Sequence, residues 1–146
     1  GDVYKRQGLG GGLPIGVCLV NEKLKDIFQP GMNGSTFGGN PVVCAGALEV
    51  LDRVAKPAFL RAVQEKADYL ASKLEKMDEV DFVRGKGLMM GIKLKTKTAK
   101  EVLLQCAKSG LLVLTAKDLI RFLPPLTITK EEMDKGLAIF KDVITK

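Results

Sequence analysis

Residues 8–41 read GLGGGLPIGVCLVNEKLKDIFQPGMNGSTFGGNP, in which two glycine-rich turns, Gly8–Gly16 and Gly31–Gly39, are separated by a short apolar run and a charged segment. Glycine lets backbone approach a ligand closely, and hydroxyls beside it can hold an anion. The first turn is not a P-loop, because no Gly-Lys-Ser/Thr follows, and no GxGxxG register with a strand before it fits. Taken alone it also reads as a flexible turn. The second turn carries Ser35 and Thr36 between glycines and closes on Asn40 and Pro41, an N-cap and a first helical residue. Two hydroxyls just ahead of a helix N-terminus, with its backbone N–H groups and positive dipole end, make a candidate phosphate site. A plain capping turn has the same residues.

Outward from this stretch, Ile15–Val20 is compact and rich in β-branched residues and reads as a buried strand. Asn21–Phe28 reads as a helical turn or surface excursion. Beyond Pro41, the residues Val42, Val43, Leu48, Val50, Leu51 and Val54 leave little polar surface. That helix is expected to be buried on most sides, with Gly46 marking a close contact. Lys56 and Pro57 break it and start an amphipathic helix whose apolar residues recur through Val63, Ala67, Leu70, Leu74 and Met77.

From Val80 the rhythm changes. Val80–Val83 and Leu88–Leu94 read as strands joined by a hairpin-like turn over Arg84, Gly85, Lys86 and Gly87. Thr98 and Glu101 form a capping box for a helix ending near Ser109 and Gly110. Leu111–Leu114 and Leu119–Leu123 read as a second pair of strands, stopped by Pro124 and Pro125. Thr129 and Glu132 open the last helix, with Met133, Leu137, Phe140 and Ile144 on one face. The fold class is α/β, and the ββαββα block reads as a small α+β unit with helices on one face of a sheet. The first block is different: one strand and one apolar helix cannot satisfy each other, so further sequence upstream is expected.

Composition narrows the function. A chain of 146 residues with 46% hydrophobic and 27% charged residues suits a globular domain with a real core. The net charge of +6 invites nucleic acid, but the lysines are interleaved with Asp and Glu, and aromatics are only 5%. The stacking platform and basic stripe of a nucleic-acid binder are missing. No apolar run is long enough to span a bilayer, and no secretory signal is visible. Cys18, Cys44 and Cys106 lack CxxC spacing, and the chain has no histidine, which argues against a zinc site and excludes a His-dependent triad formed within this chain. An odd number of thiols in apolar contexts suits a reducing, cytoplasmic setting.

Arg121 stands in the apolar run Leu119–Leu123, where a guanidinium asks for a carboxylate or phosphate, or else faces solvent from an edge strand. Arg84, followed by Gly85, reads as a surface or capping residue of a turn.

Three segments, GLGGGLPIG at 8–16, NGSTFGGNPVVCAGALEVL at 33–51 and GLLVLTAKDLIRFLPPLTIT at 110–129, together resemble the class III, pyridoxal-phosphate-dependent aminotransferases, and VRGKGLMMGIKL at 83–94 fits as well. The resemblance covers residues 8–146. It implies the C-terminal part of a fold type I transferase, divided as 8–55 (end of the large cofactor domain), 56–78 (connecting helix) and 79–146 (small α+β domain). In that family the lysine that holds pyridoxal 5'-phosphate covalently stands immediately before the GLGGG run; here that position is Gln7, and Lys5 is two residues out of register. Residues 1–7 are therefore expected to be a junction or non-native segment, and the chain alone is expected to be inactive. By the same resemblance, Ser35 and Thr36 reach the cofactor phosphate of the neighbouring subunit in a homodimer, Gly38, Gly39 and Asn40 support that turn, and Arg121 clamps the substrate α-carboxylate. Asn33 departs from a common family histidine, and no contact is assigned to it. The implied reaction moves an amino group between N2-acetylornithine and 2-oxoglutarate, in arginine biosynthesis. The alternatives are another ω-aminotransferase, acting on ornithine, succinylornithine or 4-aminobutyrate, and, from a different class, a non-catalytic anion-binding or assembly module.

Overall fold

The computed structural model describes residues 8–17, 21–24, 26–27 and 29–146. Residues 1–7, with Lys5 and Gln7, and residues 18–20, with Cys18, lie outside them. The chain divides into two units, Gly1–Phe59 and Leu60–Lys146.

In the first unit, helix α1 runs from Pro41 to Val54. Its start is fixed locally: the Asn40 side chain accepts from Val42 N at 3.0 Å and Val43 N at 3.3 Å, and Pro41 needs no partner for a missing N–H. Gly46 marks the close contact expected of it. A Cβ there would lie 3.0 Å from Leu13 Cδ1 and 3.2 Å from Gly10 O, so the turn closed by Leu13 N donating to Gly10 O lies against the helix. The expectation that α1 is buried on most sides is corrected. Ala47 is its one buried residue, while Val42 is 71% and Leu48 62% exposed. The Gly10–Leu13 turn lies against this helix at Gly46 and Val50.

The strand expected over Ile15–Val20 is corrected for Ile15–Val17, which belong to no strand; the rest of it falls outside the described residues. β-Branched residues favour a strand only where a neighbour can take their N–H and C=O groups. Glu22–Leu24 forms a short 3-10 turn, in keeping with the helical turn expected there.

The second unit is a two-layer α+β fold. Helix α2, Pro57–Leu74, buries Ala67, Leu70 and Leu74 at the spacing of one helical face. Strands β1, Val80–Lys86, and β2, Met89–Leu94, pair antiparallel, with Lys86 opposite Met89. This corrects the turn expected at Arg84–Gly87. The strand continues through Arg84, Gly85 and Lys86, and the reversal is made by Gly87, at φ +54°, and Leu88. One glycine able to take a positive φ suffices for a tight hairpin, so the earlier residues are free to pair.

Helix α3, Ala99–Lys108, and helix α4, Lys130–Thr145, each open on the expected capping box, with Thr98 and Glu101 bonded reciprocally in one and Thr129 and Glu132 in the other. Between the two helices, β3 spans Leu114–Ala116 and β4 Leu119–Phe122. The strand expected at Leu111–Leu114 is thus displaced toward the C-terminus. Leu111 N still donates to Cys106 O at 2.9 Å, so this residue belongs to the exit of α3. The hairpin then turns on two residues, Lys117 and Asp118, with Lys117 in the left-handed region at φ +57°, which sets Ala116 opposite Leu119. Nothing in Lys-Asp announces so tight a turn.

The sheet order is β1-β2-β4-β3, antiparallel throughout. Its inner face, carrying Met90, Ile92, Leu94 and Ile120, packs with Leu70, Leu74, Val102, Phe140 and Ile144 of the three helices in one core. Phe122 joins it through an edge-on contact with Phe140, ring centroids 5.0 Å apart at 75°. Alternation then sends Phe82, Arg84, Met89, Lys93 and Arg121 to the opposite, outer face.

Candidate functional site

The glycine-serine-threonine turn of the first unit is held by two successive hydrogen bonds: Gly38 N donates to Ser35 O and Asn40 N to Phe37 O, both at 3.3 Å. Gly38 is required here, since a Cβ would fall 2.8 Å from Ser35 Cβ and 3.0 Å from Ser35 Oγ. Gly39, at φ +70°, turns the chain into α1. Ser35 and Thr36 lie side by side and exposed, and among the described residues neither hydroxyl has a hydrogen-bond partner.

The helix behind them contributes less than its position suggests. Pro41 has no N–H, Asn40 Oδ1 takes the amides of Val42 and Val43, and Cys44 N donates to Asn40 O at 2.9 Å. All the first-turn donors are therefore spent on the cap. Of the two readings the sequence leaves open for these N–H groups, anion site and plain cap, the cap is the one that takes them. What remains for an anion is the hydroxyl pair, the loop amides and the dipole of α1.

Arg121 belongs to the second unit, half-buried on the outer face of the sheet. Its inner neighbours in β4, Ile120 and Phe122, anchor the strand in the core, which fixes the direction Arg121 takes. Its Nη2 donates to Met89 Sδ at 3.4 Å, and among the described residues it has no carboxylate partner. Sulfur is a weak acceptor, so most of the guanidinium's donor capacity is unspent. Gly91 sits opposite Arg121 on one side and opposite Arg84 on the other, so the two arginines project from one cross-strand row.

The sequence alone separates these arginines, because it places Arg84 in a turn. The signal available is the alternation of Phe82, Arg84 and Lys86 with Val83 and Gly85, ahead of a second glycine. The Arg84 guanidinium stands 5.8 Å from the Phe82 ring centroid, a cation–π contact. The acid nearby, Asp118, is occupied: Lys93 Nζ donates to it at 2.6 Å, and that bond first, with the Lys93 charge and the field of Arg84, holds its carboxyl below the usual range.

Elsewhere an apolar cavity of about 280 Å³ is lined by Leu70, Leu111, Phe122, Pro124, Ile128 and Met133. Its charged neighbour Glu132 is already engaged in a capping box. Cys106 is fully buried, and burial pushes its thiol up, away from a reactive thiolate. Among the described residues no cluster could hold a metal ion, and no helix is long and apolar enough to cross a membrane.

The sequence profile of the Aminotransferase class-III family matches residues 4–144. Acetylornithine aminotransferase of Caldanaerobacter subterraneus is 41% identical over 145 residues, covering 96% of this chain and 37% of that protein. The enzyme of the same name from Clostridium acetobutylicum is 43% identical, over 94% of this chain and 37% of its own length. The chain thus spans little more than a third of the curated relatives it matches. Among solved structures, acetylornithine aminotransferase from Elizabethkingia anophelis superposes with a TM-score of 0.78 at 34% identity, over 94% of this chain and 38% of its own. An ornithine aminotransferase from Plasmodium yoelii gives 0.79 at 29% identity, over 95% and 39%.

Proposed function

The chain belongs to the class-III aminotransferases, and from that premise we propose that it is a segment of a transaminase moving an amino group between N2-acetylornithine and 2-oxoglutarate, in the cytoplasm. The observation that carries this reading is Arg121, a guanidinium fixed on an exposed sheet face with no carboxylate of its own among the described residues. A planar fork of donors held in place suits bidentate capture of a substrate carboxylate and orients the neighbouring carbon for reaction.

The cofactor of this family, pyridoxal phosphate, supplies an electron sink for the substrate carbon that loses its proton. The residues present fit its phosphate end. Ser35 and Thr36 offer two uncommitted hydroxyls on a turn held rigid by Gly38 and Gly39, and the positive end of α1 lies behind them. We assign this pair to the phosphate of a cofactor held mainly by a second subunit of a homodimer. Position 7, where the family carries its cofactor lysine, is Gln7. A glutamine amide is neither a nucleophile toward an aldehyde nor a base for the substrate proton. The chain by itself is therefore proposed to be inactive.

The test is a transaminase assay of this chain with N2-acetylornithine, 2-oxoglutarate and pyridoxal phosphate, followed by borohydride reduction and peptide mapping. We expect no turnover and no pyridoxyl-lysine; turnover with a pyridoxyl adduct at Lys5 would overturn the inactivity. With an upstream class III segment joined at Gly8 and ending in lysine, N2-acetylornithine should be the preferred donor. Preference for ornithine, succinylornithine or 4-aminobutyrate would assign the chain to another branch of the family.

A further inference from the structure

We propose that Met89 is a site of reversible oxidation, at which a peroxide converts the thioether to a sulfoxide whose oxygen takes Arg121 Nη2 and weakens the capture of a carboxylate there. The proposal rests on the reading of Arg121 as a carboxylate ligand and adds a covalent control to it.

Three observations carry it. First, the sulfur touches the guanidinium: Arg121 Nη2 donates to Met89 Sδ at 3.4 Å. Second, Met89 is open to a small oxidant. It is 53% exposed at the start of β2 and lines a surface groove of about 520 Å³ with Leu60, Leu123 and Pro124. Its neighbour Met90, on the inner face of the sheet, and Met133 of α4 are each only 4% exposed, so core packing shields them. Third, Nη2 is the nitrogen shared by both two-pronged edges of a guanidinium, end-on with Nη1 and side-on with Nε. A strong acceptor held on it therefore interferes with either bidentate grip on a carboxylate.

The step balances with a hydroperoxide as the oxidant. A sulfur lone pair attacks one peroxide oxygen, the O–O bond breaks, and the sulfur loses two electrons as it bonds that oxygen; hydrogen peroxide leaves as water. The product changes the contact in kind. A thioether sulfur is a weak acceptor and yields Nη2 to an arriving carboxylate at little cost. A sulfoxide oxygen carries the negative end of a strong dipole. Bonded to a sulfur already beside Nη2, it accepts a charge-assisted hydrogen bond that the carboxylate must then displace. The change is reversible, because methionine sulfoxide reductases, one for each configuration at sulfur, restore the thioether.

The experiment treats the 146-residue chain with hydrogen peroxide and maps the added oxygen by peptide mass spectrometry. Arg121 Nε–Hε is followed by NMR through a 2-oxoglutarate titration before and after treatment. We expect Met89, and Met32, which is 64% exposed in the first unit, to gain oxygen well before Met90 and Met133. Oxidation should shift the Arg121 resonance without ligand and weaken 2-oxoglutarate about tenfold, the worth of one charge-assisted hydrogen bond. The two reductases together should reverse both effects. Met32→Leu should respond to peroxide as the wild type does. Met89→Leu, a swap of similar volume, should keep its Arg121 resonance and its affinity through the treatment. If Arg121 responds to 2-oxoglutarate but Met89 stays reduced while Met32 is oxidised, or oxidised Met89 leaves the affinity unchanged, the switch is refuted and the reading of Arg121 stands. If Arg121 is silent to 2-oxoglutarate in the untreated chain, that reading fails and the switch with it. The wild-type chain, oxidised and then reduced, decides between these outcomes even where a variant folds poorly.

Discussion

The edge-on contact between Phe122 and Phe140 is where the core holds the strand that carries Arg121. Phe140 is fully buried, and its ring meets Phe122 at 5.0 Å and 75°. Replacing either ring by leucine keeps most of the apolar volume, so each single change should cost up to about 1.5 kcal/mol. The edge-to-face contact itself should contribute about 0.5–1.5 kcal/mol beyond burial. The first of the two single changes already removes it. Phe122→Leu with Phe140→Leu should therefore cost about 1 kcal/mol less than the sum of the singles. A unit of this size has roughly 4–13 kcal/mol in all, so the fold survives both changes. The assay is native-state hydrogen exchange of the slowest amides in β2 and β4, which isolates this unit from the rest of the chain. A coupling of about 1 kcal/mol appears there as roughly a fivefold departure from additive rates. Singles and double that add within about 0.3–0.5 kcal/mol would refute the contact.

Three further outcomes are expected. Lys117→Gly should stabilise the β3–β4 hairpin by about 0.5 kcal/mol, since relief of a left-handed lysine, about 1–2 kcal/mol, exceeds the added chain entropy of about 0.4–1 kcal/mol; faster exchange in that hairpin would contradict it. The Glu101 carboxyl lies below the ordinary glutamate range because the Thr98 hydroxyl, then the Thr98 amide, donates to it. A folded pKa below the unfolded one gives stability that is present above the unfolded value and lost as pH falls through the folded one, so acid should loosen the start of α3 below roughly pH 4, and Thr98→Val should raise the Glu101 pKa in a carbon-detected NMR titration. Finally, the exposed apolar side chains Val42, Leu48 and Leu51 should make the chain self-associate, and Leu48→Glu with Leu51→Lys should reduce that association in sedimentation velocity; a wild-type chain that sediments as a monodisperse monomer would count against it.

How much of the fold is legible in the sequence depends on how local each determinant is. The capping boxes at Thr98 and Thr129 are closed within four residues, and both helices start where those residues put them. The apolar spacing of α2 and α4 likewise announces the face each buries. Strand limits are different, because a ladder is defined by its partner. Arg84 looks like part of a turn because two glycines flank Lys86, yet only Gly87 turns; the other pairs with Met90. β3 lies later than its apolar run suggests because its hairpin reverses on Lys117, a residue with no sequence signature for a positive φ. The apolar ring of α1 identifies a helix meant for cover, but which surfaces supply that cover is not written in the helix.

The candidate anion site shows the same limit in a sharper form. Asn40 and Pro41 read both as a cap and as the mark of a phosphate-binding helix N-terminus, and the two readings compete for the same donors. A cap succeeds by consuming the first-turn amides, whereas an anion site succeeds by leaving them free. With the Val42 and Val43 amides on Asn40 Oδ1, the helix offers an anion only its dipole, about 0.3–1 kcal/mol at an exposed end. The weight of the proposed phosphate grip therefore falls on the Ser35 and Thr36 hydroxyls, and their placement depends on Gly38. That glycine is the one position in the turn where a single added carbon would strike the Ser35 side chain at 2.8 Å. The chemistry of the turn is thus set by its tightest backbone position, which lies between the hydroxyls that would do the binding and the cap that starts the helix.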